Sequence, residues 1–146
     1  TMTIPVASIE NGQILWVKVN TDRHANERLW MFSGVAVLES WHRTDQDHWG
    51  SEDVAISMRT IRGAPVIRPN QWVDAVAMAA PASVQFRESA SRDRFGFSVD
   101  SFTPWAPPSG DFPEDYGLNV RIGLRGNEAW FYRLSFQLNV LTRDVG

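Results

Sequence analysis

The run Trp130-Phe131-Tyr132-Arg133-Leu134-Ser135-Phe136-Gln137-Leu138-Asn139-Val140-Leu141 decides the fold class. Trp130, Tyr132, Leu134, Phe136, Leu138 and Val140 alternate with Arg133, Ser135, Gln137 and Asn139. Side chains of a strand point to opposite faces at every step, so a period of two marks a strand with one buried face. Phe131 and Leu141 break the pattern by putting apolar groups on the polar face. They hint at a second contact surface.

Working outward, Leu118, Val120, Ile122 and Leu124 alternate with Asn119, Arg121 and Gly123 just upstream. Between the two runs lies Arg125-Gly126-Asn127-Glu128, with a glycine and an asparagine that both tolerate positive φ. The expectation is one antiparallel hairpin over 117–142. Phe95, Phe97 and Val99 alternate in the same way, as do Val54, Ile56 and Met58. Shorter strand candidates are 3–9, 14–20, 29–39, 72–78 and 84–87. The alanine-rich stretch 70–80 could form a helix of about three turns, but it has no clear pair of caps and reads as strand. Eight or nine short strands with turn residues between them predict an all-β chain, an antiparallel β-sandwich or jelly roll. No glycine-rich turn between a strand and a helix is present, which argues against a dinucleotide or phosphate-loop fold.

The chain has 146 residues, the size of a single domain spanning 1–146. There is no cysteine, so disulfide scaffolds, thiolate metal sites and cysteine nucleophiles are excluded. Fourteen basic residues against seventeen acidic ones give a net charge of −3, which speaks against nucleic acid as a partner. No apolar run is long enough for a membrane span, and 1–9 lacks the features of a signal peptide. The expected location is cytoplasmic, or released without a visible signal, and not transmembrane. Lys18 is the only lysine, and seven tryptophans are present. Indole suits stacking on flat apolar ligand faces, and it is costly to bury with its N–H unpaired.

Two segments escape the alternation, 40–53 and 103–116. Long connections on a rigid sheet are where binding residues concentrate. The first holds Trp41, His42, Asp45, Asp47, His48 and Trp49. Imidazole and carboxylate can ligate a divalent ion, but the histidines are six apart and match no metal motif, so no metal or other cofactor is assigned. Indoles beside carboxylates and a histidine also equip a sugar site, because pyranose C–H faces stack on rings while carboxylates accept from hydroxyls. The second segment is stiffened by Pro104, Pro107, Pro108 and Pro113 and carries Trp105, Asp111 and Tyr116. A rigid aromatic and acidic loop loses little entropy on binding.

No catalytic signature stands out. Ser40 and Ser51 lie near the histidines without a nucleophile elbow. The fragment Phe95-Gly96-Phe97-Ser98-Val99, followed by Trp105, resembles a strand signature of small H-type lectins; no binding residue is carried over from it. The reading at this point is a non-enzymatic, lectin-like module that binds a saccharide through Trp41, His42, Asp45, Asp47, His48, Trp49, Trp105, Asp111 and Tyr116 and forms homo-oligomers. The alternatives are a self-assembling particle component, such as a phage protein, and a small metal-dependent enzyme using His42 and His48.

Overall fold

A computed structural model describes residues 3–19, 26–43, 48–86, 96–107, 115–126 and 129–143. Among the described residues eight strands follow in chain order: β1 Thr3–Ile4, β2 Val6–Val19, β3 Glu27–Arg43, β4 Gly50–Ser57, β5 Trp72–Phe86, β6 Gly96–Trp105, β7 Gly117–Arg125 and β8 Ala129–Arg143. They form two four-stranded sheets, ordered β1-β4-β7-β6 and β2-β3-β8-β5. Every pairing is antiparallel except that of the two-residue β1 with β4. The expected all-β sandwich is borne out. Its strands are longer than the sequence suggests: within the described residues, 3–9 and 14–19 fuse into β1 and β2 with only Pro5 between, and 72–78 and 84–86 merge in β5.

The fusion has a local cause. β2 and β5 carry bulges, at Asn11 and Ala82 among others, where the register shifts and the alternation breaks without ending the strand. Asn11 takes φ 54°, a left-handed conformation that asparagine tolerates.

The hairpin expected over 117–142 is not formed. β7 belongs to one sheet and β8 to the other, and they face each other across the core. Alternation says that each strand buries one face; it does not say which neighbour takes its hydrogen bonds. A short connection bridges the ~10 Å between sheets as well as the ~4.8 Å between neighbours. Gly126 supplies the corner with φ 151°, which residues bearing a Cβ rarely adopt.

The exceptions in β8 resolve through a register shift. Ser83 pairs with Arg133 and Val84 with Phe131, so Tyr132 is one residue extra on β8. The bulge inverts the alternation. Leu134, Leu138, Val140 and Phe131 are all fully buried, while Trp130 and Tyr132 are only half-buried. Phe131 is therefore core rather than a second contact surface.

The core fills the space between the sheets with Val54, Ile56, Leu118, Val120, Ile122 and Leu124 from one side, and Phe32, Ala36, Phe131, Leu134 and Leu138 from the other. Trp30 enters it with its indole N–H donating to Thr142 Oγ1 at 2.8 Å. One end is closed by the segment between β4 and β5, which buries Met58, Ile61 and Ile67. No helix among the described residues is long and apolar enough to cross a membrane.

Candidate functional site

Register assigns the outward face of the β1-β4-β7-β6 sheet. Leu118, Val120, Ile122 and Leu124 point inward, so Gly117, Asn119, Arg121, Gly123 and Arg125 of β7 point outward. Beside them on β4 stand Ser57, Ala55, Asp53 and Ser51, and on β6 stand Trp105, Thr103, Ser101 and Ser98. Apart from Arg121, Arg125 and Trp105 the side chains are short, most of them polar, and three glycines, Gly96, Gly117 and Gly123, lie on this face.

Gly96 and Gly117 are floors for indoles, whereas the space over Gly123 is taken first by the Ser98 hydroxyl, with Trp49 in contact beyond it. Trp49, immediately before β4, lies across β6 and β7. A Cβ built on Gly96 would collide with the Trp49 six-membered ring, and one on Gly123 would lie 3.4 Å from its Cε3. The indole therefore packs against the Gly96 backbone, and the residue as a whole is 49% exposed. The Arg125 guanidinium sits 5.3 Å from the ring centroid, within cation–π range. Next to the indole, Trp49, Ser51, Ser98 and Asp100 line a groove of about 270 Å³. Asp100 reaches this face because of a bulge: Val99 pairs with Ile122 and Ser101 with Arg121, leaving Asp100 extra and lifted outward.

The same construction recurs at the other end of β7. Trp105 Cη2 lies 2.9 Å from the point where a Gly117 Cβ would be, and the Ile56 carbonyl leaves that Cβ no room either. Trp105 is half-buried there. Between the two indoles Arg121 Nη1 pairs with Asp53 Oδ1 at 3.3 Å. Near Trp105 the Ser57 hydroxyl donates to the Asp115 carboxylate.

The structure treats the nine expected binding residues unequally. His48 and Trp49 are exposed neighbours at one end of the polar face, and Trp105 stands at the other. Tyr116 is fully buried: its hydroxyl donates to the Pro65 carbonyl at 2.7 Å, and its ring meets Phe32 edge-on at a centroid distance of 5.7 Å. It is a core plug, out of reach of a ligand. Burial pushes its hydroxyl well above the usual phenol pKa, opposed weakly by the charge of Arg59.

Trp41 and His42 lie in β3, with backbones opposite Phe131 and Trp130, so the first segment is shorter than 40–53 suggests. Asp45, Asp47 and Asp111 lie outside the described residues. Among the described residues no group of three or more His, Asp or Glu is placed to hold a metal ion.

Sequence reasoning missed Ser51, Ser98, Asp100, Asn119, Arg121 and the glycine floors. Their signal was present as the polar and glycine members of alternating runs, in strands rather than in the loops between them.

Comparison of the chain with protein-family models, curated proteins and solved structures finds no match.

Proposed function

We propose that this protein is a lectin-like binding module whose saccharide site is the groove beside Trp49. The observation that carries the reading is the half-exposed Trp49 indole packed against Gly96, with Ser51, Ser98 and Asp100 lining the groove beside it. A pyranose ring has one weakly polar C–H face and a rim of hydroxyls. The first stacks on an indole, and the second donates to a carboxylate and exchanges hydrogen bonds with serine hydroxyls. Because the ring is backed by backbone, it loses little freedom when a ligand arrives. Screening the protein on a glycan array tests this: the wild type should bind a defined subset of glycans and Trp49→Ala should bind none. A blank array for the folded wild type overturns the reading.

Self-association through the opposite sheet is the second part of the reading, and it also serves the alternative of an assembly component. On the outer face of β2-β3-β8-β5, Leu15, Met31, Asn139 and Val76 form one row, and Val17, Leu29, Leu141 and Asp74 form the next. Leu15, Val76 and Met78 are 60%, 64% and 61% exposed. Strands 14–17 residues long at a spacing of ~4.8 Å give this face a footprint of roughly 900–1,000 Å², on the scale of the ~800 Å² that each partner of a standard interface buries. A second copy presents an identical flat face, which a two-fold axis makes self-complementary.

A further inference from the structure

The two segments singled out for their aromatic residues do not converge on one pocket. Gly50 pairs with Leu124 near the end of β7, whereas Trp105 pairs with Gly117 at its start. The segment before Trp49 and the segment after Trp105 are thus attached at opposite ends of the sheet. Their indoles nevertheless share its outer face, one beside Gly123 and one over Gly117. Six positions of β7 separate these glycines, roughly 20 Å along the strand. One sugar ring cannot touch both.

We infer that the polar face between Trp49 and Trp105 is an extended subsite track that takes a linear, equatorially linked pyranose chain along β7. The inference rests on the saccharide reading above and adds the ligand's shape and length. Three features carry it. First, each indole has a glycine beneath it, where a Cβ would be displaced by the ring or by backbone, so both rings hold low positions against the sheet. Second, the residues between them are polar: Asn119 and the Arg121–Asp53 ion pair on the central strands, with Ser98, Ser101 and Thr103 along β6. These offer hydrogen-bond donors and acceptors along the track, where apolar side chains would offer none. Third, a sheet face edged by rings matches a ribbon whose sugar rings lie nearly coplanar, each turned over relative to the last, as β-1,4 linkage produces, since either face of such a ring can stack on an indole. A branched or strongly bent glycan would touch one indole only.

The test is calorimetric titration of the full chain with cello-oligosaccharides and, in a separate arm, chito-oligosaccharides, from the disaccharide to the hexasaccharide. In at least one arm wild-type affinity should rise about tenfold as the oligomer becomes long enough to reach the second indole, the gain expected of one further stacked ring. Trp105→Ala should bind the disaccharide as the wild type does but lose that rise, and Trp105→Phe should restore part of it. Trp49→Ala should bind neither length. Should Trp105→Ala fail to fold, the indole N–H resonances of the wild type decide: the hexasaccharide should shift both Trp49 and Trp105, the disaccharide Trp49 alone. Affinity independent of length, a Trp105→Ala protein that keeps the rise, or an unmoved Trp105 resonance overturns the track while leaving single-site binding intact. A protein that binds no glycan of any kind overturns both readings.

Discussion

Tyr116 and Trp49 are both ring-bearing residues at the margin of a polar segment, and the structure gives them opposite duties. Tyr116 is enclosed, hydrogen-bonded to Pro65 and packed near Phe32 and Trp72. Tyr116→Phe leaves the Pro65 carbonyl without its partner and should cost about 1–2 kcal/mol in denaturant unfolding. The hydroxyl also predicts a pH response. Its pKa is raised on folding, so its neutral form is favoured in the folded state and its contribution to stability is complete below the unfolded value of ~10. As pH rises above that value the contribution falls, and Tyr116→Phe should flatten the alkaline branch of the stability curve. Trp49 is tested more finely from beneath than by deletion. A methyl on Gly96 meets the indole directly, so Gly96→Ala should lift the ring, red-shift its fluorescence and weaken glycan binding while the indole itself remains.

At the scale of the element, alternation made the strands legible because it follows from burial of one face, which β7 obeys throughout. Leu118, Val120, Ile122 and Leu124 are each completely buried, as their spacing requires. Pairing was not legible, since hydrogen bonding uses backbone groups common to every residue. The hairpin expected across Gly126 turned out to be a crossing between sheets for that reason. Bulges were also hidden. The extra residue at Tyr132 leaves no compositional trace beyond Phe131 standing on the apparently wrong face. Truncation distinguishes the two descriptions of β8: Phe131→Ala should destabilise by about 3–5 kcal/mol, the range for emptying a core site, and Tyr132→Ala by far less. Equal losses in thermal unfolding would contradict the inverted alternation. The site was half legible. Trp49 and Trp105 were visible as rings outside the strand pattern, but their floors lie in other strands, and only the register joins Gly96, Gly117 and Gly123 to them.

For the molecule as a whole, the two outer faces differ in chemistry. One is polar, glycine-floored and edged by indoles; the other exposes Leu15, Val17, Val76 and Met78. Leu15→Glu combined with Val76→Lys should convert any self-associated form to monomer in sedimentation velocity, with thermal stability changed by little, since exposed positions contribute about ±0.5 kcal/mol. Long outer strands add to the tendency: β2 is an edge with Leu15, Trp16 and Val17 exposed in succession and Lys18 as its nearest charge.

Placing the apolar face and the indole-bearing face on opposite sides of one sandwich has a geometric consequence. Two copies joined back to back would aim their grooves in opposing directions, too far around the particle for one short glycan to reach both. Such a pair would act as a cross-linker between separate sugar-coated bodies, and its signature would be agglutination rather than tighter grip on any single chain.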